Sequence, residues 1–169
     1  MGSGFNEVTA ITHAGDDRLF VAEQAGRIKI LHPDGRITLF LDISDKVISD
    51  KGEYGFYDVA FHPGYNDPTS PGYGLFYVTY TTGYDIDFDH RDVRTILSRF
   101  RVSADPDVAD RSSEAILMRE KQSFDVHKGG GMDFDKRDNM LYVGFGEDRL
   151  LLIAQDVHLT QGQDCAPRR

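Results

Sequence analysis

The sequence predicts an all-β fold, a partial β-propeller. Three observations carry that reading: short strands in which apolar and polar residues alternate, Gly-, Asp- and Pro-rich turns between them, and a weak internal repeat. No amphipathic pattern long enough for a helix of more than about 10 residues is visible.

Leu19-Phe20-Val21-Ala22-Glu23, then Gln24-Ala25-Gly26, then Arg27-Ile28-Lys29-Ile30-Leu31 reads as strand, tight turn, strand, with Gly26 supplying the permissive backbone. The turn His32-Pro33-Asp34-Gly35 leads into a strand over residues 36–41, and residues 8–12 supply a fourth. Four such strands make one propeller blade. The pairs Phe20-Val21, Tyr77-Val78 and Tyr142-Val143 recur in mid-strand at separations of 57 and 65 residues, each after a shorter apolar strand. The second repeat carries loops at residues 66–72 and 83–92, an alternating strand over 96–102, and a short strand at 115–117. Residues 102–113 are polar and read as a loop. Residues 1–169 are thus expected to form part of one domain, with about two to three four-stranded blades. A propeller ring needs roughly four to eight blades. The expectation is therefore a segment of a longer parent, or a chain that associates with itself to cover its open faces and edges.

Composition narrows the function classes. A hydrophobic share of 40% and an aromatic share of 11% are enough to build a packed core. Nineteen basic against 28 acidic residues leave a net charge of -9, which argues against a nucleic-acid partner or an anionic membrane surface. No apolar run approaches the roughly 20 residues that span a bilayer. The opening Met1-Gly2-Ser3-Gly4 lacks the features of a secretory signal, and the lone Cys165 forms no intrachain disulfide. P-loop, G-x-S-x-G and C-x-x-C patterns are missing, so nucleotide-dependent and serine-hydrolase chemistry have no support.

Most polar motifs read as structural. His13, His32, His90 and His158 lack zinc-ligand spacing. Asp85, Asp87 and Asp89 have the alternate-acid spacing of a Ca²⁺ loop, but His90 and Ile96 stand where its Gly and Glu belong, so a solvated acidic loop is expected. His62 is expected to end a strand and bond a turn carbonyl, and the Leu75–Tyr80 alternation to pack the core.

Several motifs, in order along nearly the whole chain, resemble the family of the soluble glucose dehydrogenases, the aldose sugar dehydrogenases and the Hedgehog-interacting-protein propellers. Leu19-Phe20-Val21-Ala22-Glu23-Gln24-Ala25-Gly26-Arg27-Ile28 is similar to its first-blade signature, with Phe40-Leu41-Asp42-Ile43 following. Gly52-Glu53-Tyr54-Gly55-Phe56-Tyr57-Asp58-Val59-Ala60-Phe61-His62-Pro63 resembles its "GLLGLAFHP" segment. Ser98-Arg99-Phe100 and Ser113-Glu114-Ala115-Ile116-Leu117 match in order. His127-Lys128-Gly129-Gly130 is similar to "HNGG", and Leu141-Tyr142-Val143-Gly144-Phe145-Gly146 to "LYIGTGD".

The resemblance implies a six-bladed propeller that binds pyrroloquinoline quinone (PQQ) and Ca²⁺ over its central channel. It implies oxidation of an aldose at C1, with His127 as the base, Glu147 as its carboxylate partner, and Glu53, Lys128 and Gly129 against the cofactor. A neutral imidazole suits the base role, and small residues at 129–131 let the backbone approach a flat ligand. Two positions depart from the enzymes: Glu53 replaces a Gln, and Glu147, followed by Asp148, replaces an Asp. A charge at Glu53 opposes an anionic tricarboxylate unless it is protonated or paired. No metal ligand is assigned on this chain; the Ca²⁺ ligands are expected in later, C-terminal blades. The resemblance further implies a sugar substrate, a periplasmic or secreted parent that is an enzyme, and no activity for these residues by themselves. The alternative within the resemblance is a non-catalytic ligand-binding propeller of the Hedgehog-interacting type.

Overall fold

The computed structural model describes residues 4–83, 85–87, 90–91, 93–121, 126–146 and 155–159. In these the chain is all strand and turn. The strands are β1 (Val8–Thr12), β2 (Leu19–Glu23), β3 (Arg27–Leu31), β4 (Ile37–Asp42), β5 (Phe56–Phe61), β6 (Leu75–Thr82), β7 (Asp85–Asp87), β8 (His90–Arg91), β9 (Arg94–Val102), β10 (Ala109–Lys121), β11 (Gly129–Phe134), β12 (Leu141–Phe145) and β13 (Gln155–Leu159).

The first sheet is an antiparallel meander, β1-β2-β3-β4. Its turns follow from local chemistry. The Gly26 amide closes onto the Glu23 carbonyl at 2.9 Å with φ at 96°, a left-handed backbone that a side chain would strain. A Cβ there would also stand 2.9 Å from the Val47 side chain. The second sheet runs β10-β9-β6-β5 and the third β11-β12-β13, again antiparallel.

In each sheet the strand that comes first in sequence lies at one edge. Those three edges converge, because β5 packs against both β1 and β11. This is the arrangement of propeller blades around an axis, with β1, β5 and β11 as inner strands.

The faces between sheets are apolar, as alternation demands. Between the first and second sheets lie Phe20, Phe40, Phe61, Phe76 and Phe100, all buried. Phe76 stacks on Phe100 at 5.7 Å, and Phe20 meets Phe40 edge-on at 4.9 Å. A smaller cluster of Ala60, Leu97, Leu141, Val143 and Phe145 joins the second sheet to the third.

Two expected loops are partly strand. β10 begins at Ala109, inside the stretch read as a polar loop over 102–113. It is the outermost strand of its sheet, so it carries polar residues on a solvated edge, and it breaks register between Asp110 and Ala115 and between Ile116 and Met118. Within the 83–92 loop, β7 and β8 pair Asp85 with Arg91 and Asp87 with His90; Asp89 lies outside the described residues. His62 is buried just after β5, at the strand end where the sequence placed it, and its Nδ1 accepts from the Gly64 amide at 2.9 Å.

At the seam of the first two sheets, Glu114 accepts hydrogen bonds from Tyr80 at 2.7 Å and Ser98 at 2.9 Å, and pairs with Lys46. Burial pushes its carboxyl upward, but the bonds from Lys46, Tyr80 and Ser98 outweigh that and hold it below the ordinary value of 4.5. Its contribution is therefore full above that ordinary value and is lost as pH falls through the lower folded one. Glu114→Gln is expected to cost about 1–3 kcal/mol at neutral pH. Urea unfolding of variant and parent at descending pH should show the gap closing on the acid side.

Candidate functional site

The loop 126–128 and the start of β11 bring most of the sequence-nominated residues together. His127 is exposed, and its backbone sits at φ 59°, in the left-handed region that few non-glycine residues adopt. Two glycines explain how that conformation is held. A Cβ on Gly146 would lie 1.7 Å from the His127 carbonyl oxygen, and one on Gly129 would lie 2.3 Å from the Gly146 nitrogen. The end of β12 therefore packs backbone against backbone on the histidine loop, an approach only glycine permits.

Glu53 precedes β5 and is exposed. The Lys128 amide donates to its carboxylate at 3.3 Å, across 75 residues of sequence. The Lys128 side chain turns inward: it is fully buried, with the ammonium 5.3 Å from the centre of the Tyr54 ring. Glu53, Tyr54, His127, Lys128 and Gly129 thus form one locus. Glu147 lies outside the described residues.

Tyr57 and Asp58 also belong to this locus; the sequence placed them inside the segment resembling "GLLGLAFHP" without giving either a role. The Tyr57 ring lies so close to Gly130 that a Cβ there would stand 2.6 Å from it. Burial, with the Glu53 charge adding to it, pushes the Tyr57 hydroxyl well above its ordinary range. Asp58 accepts from the Met132 amide at 2.8 Å. Burial raises its carboxyl; the Met132 and Val59 amides pull it back, and the Asp133 charge adds to the rise.

A cleft of about 530 Å³ opens beside the inner strands, lined by Thr12, His13, Asp58, His62, Asp133 and Lys136 among others. Glu53, His127, Lys128 and Gly129 do not line it. It lies toward the far ends of β1, β5 and β11. Among the described residues no group of three or more His, Cys, Asp or Glu could hold a metal ion, and no helix is long and apolar enough to cross a membrane.

The contrast between neighbouring glycines offers a test. Gly130 has φ 109° and a ring against it, whereas a Cβ on Gly131 would meet nothing within 4 Å. Gly130→Ala is expected to destabilise by about 1–3 kcal/mol, and Gly131→Ala to stay within about 0.5 kcal/mol, both read from urea denaturation midpoints.

Comparison with known proteins gives a consistent picture. The family model described as Glucose / Sorbosone dehydrogenase matches residues 5–165. Human Hedgehog-interacting protein is 32% identical over 163 residues, covering 89% of this chain and 22% of that protein. The PQQ-bound aldose sugar dehydrogenase of Streptomyces coelicolor superposes with a TM-score of 0.69 at 21% identity, over 94% of this chain and 46% of that one. A solved glucose dehydrogenase gives a TM-score of 0.74 at 18% identity, over 94% and 46% of the two chains. The apo soluble aldose sugar dehydrogenase of Escherichia coli gives 0.68 at 18%, over 86% and 39%. The chain spans less than half the length of each of these proteins.

Proposed function

Because this chain belongs to the Glucose / Sorbosone dehydrogenase family, we propose that it supplies the base for a PQQ-dependent oxidation of an aldose sugar at C1. The observation that carries the reading is His127 itself: an exposed imidazole at the opening of an inner strand, on a backbone pinned by Gly129 and Gly146. When bound, PQQ supplies the acceptor for the hydride that leaves C1. His127 takes the proton of the C1 hydroxyl onto a ring nitrogen, which requires a neutral imidazole within about 2.6–3.2 Å of that oxygen.

In this proposal Glu147 is the carboxylate partner that orients the imidazole. Glu53 stands at the rim. Its charge alone would repel an anionic cofactor, and the Lys128 ammonium, buried beside the Tyr54 ring, is the cation this locus supplies. Lys128 acts on such a ligand through its field, while Gly129, packed on the Gly146 backbone, holds the segment in place and the open backbone at Gly131 leaves room for a flat ring system. The Ca²⁺ ligands are assigned to further blades of the ring, the complete protein to the periplasm or the exterior, and no activity to residues 1–169 by themselves.

The test is reconstitution of the longest polypeptide that carries these residues with PQQ and Ca²⁺, assayed with aldoses and a dye acceptor. His127→Asn removes the base without adding backbone strain, since Asn accepts the left-handed conformation. It is expected to lower kcat by about 10²- to 10⁴-fold. Turnover that needs no PQQ, or that survives His127→Asn unchanged, overturns the assignment.

The 32% identity to Hedgehog-interacting protein favours a second reading, a non-catalytic propeller that binds a ligand on the same face. On that reading PQQ leaves the thermal unfolding midpoint where it was. On the first, saturating PQQ raises it.

A further inference from the structure

The strand that carries the histidine is docked to the second sheet by side chains. Among the described residues β11 shares a backbone ladder with β12 and β5 shares one with β6, yet β5 and β11 lie side by side. Strands from separate sheets that meet this way leave backbone groups without ladder partners, and buried groups of that kind need others.

Here they come from the second sheet and the turn that leads into it, at residues 128, 130 and 132. Glu53 accepts from the Lys128 amide at 3.3 Å. The fully buried Thr79 hydroxyl donates to the Gly130 carbonyl at 2.6 Å. Asp58 accepts from the Met132 amide at 2.8 Å. Between them the Tyr57 ring rests on Gly130, where no Cβ fits.

Lys128 lies just before β11, and the β11–β12 ladder shifts register between Gly129 and Met132, so the contacts at 128, 130 and 132 hold to β5 the stretch that its own ladder holds least regularly. The three bonds fix both the position of β11 along β5 and its rotation. His127 is the residue immediately before this clamp, and its side chain is exposed, so its place is set by its main chain.

We propose that Thr79 and Asp58 are positioning residues for His127: their side chains clamp β11 to the second sheet and so fix where the imidazole stands. The catalytic part of this claim rests on the base role assigned to His127 above, while the clamp itself does not. Both residues act at a distance and neither touches a reacting atom. A misplacement of about 1 Å in a reacting group can cost roughly 100-fold in rate, so a modest slip of β11 is enough to matter.

Amide hydrogen exchange on the ligand-free protein and turnover of the PQQ- and Ca²⁺-loaded protein test the two parts separately. Thr79→Val and Asp58→Ala are expected to speed exchange of the Lys128 and Met132 amides about tenfold, with the amides of β2 and β3 unchanged. They are expected to lower kcat about 10- to 100-fold with KM for the sugar within about twofold. Thr79→Ser and Asp58→Asn, which keep the hydroxyl and a carbonyl acceptor, should restore most of both. Unchanged exchange overturns the clamp. Faster exchange with unchanged kcat in an active enzyme overturns the positioning role. If the parent protein shows no PQQ-dependent turnover, the base assignment falls and the exchange result still decides the clamp.

Discussion

Sheets arranged around an axis must meet along inner strands that have no partner sheet between them. That constraint governs this molecule. The apolar faces join easily, because alternation in the second sheet puts Phe76 and Phe100 on the face toward Phe20 of the first sheet and Ala60 and Leu97 on the face toward the third. The inner edges are harder, since their amides and carbonyls cannot be satisfied by packing. Glu53, Asp58 and Thr79 meet that need between the second and third sheets, and they do so at the strand that presents the histidine.

The same logic explains how charge is arranged. Burying an ammonium is costly unless a partner or a polarisable surface faces it. Lys128 has the Tyr54 ring, and Tyr54 sits beside the carboxylate that takes the Lys128 amide. Glu53 and Lys128 are therefore linked through backbone and ring, which leaves the Glu53 carboxylate directed to solvent. In the outer seam the pattern differs: Glu114 is satisfied directly by Lys46, Tyr80 and Ser98.

Much of this was legible in the sequence where the information is local. Gly26 and Gly35 marked turns and β1 to β4 fell near the expected limits, whereas the glycines after His127, read as room for a flat ligand, include Gly129 and Gly130 packed on Gly146 and Tyr57 of the protein itself. Strand β10 was not legible, because a solvated outer strand with two register shifts loses the alternation that identifies strands. Asp58 and Thr79 were not legible either. Asp58 lies in the "GLLGLAFHP"-like segment with no role of its own and Thr79 reads as an ordinary strand residue, and their partners lie 74 and 51 residues away. His62 was placed correctly at a strand end, where the break before Pro63 is a local signal.

Strand β10 has one more consequence. It is 13 residues long and forms the outer edge of its sheet, the geometry that invites a foreign strand to add on. Its two irregularities bend the edge, and Arg111, Glu114, Arg119, Glu120 and Lys121 stud it with charge of both signs. Such an edge is a poor template for cross-β growth. The second sheet is thus protected against edge-to-edge fibre growth by its own outermost strand.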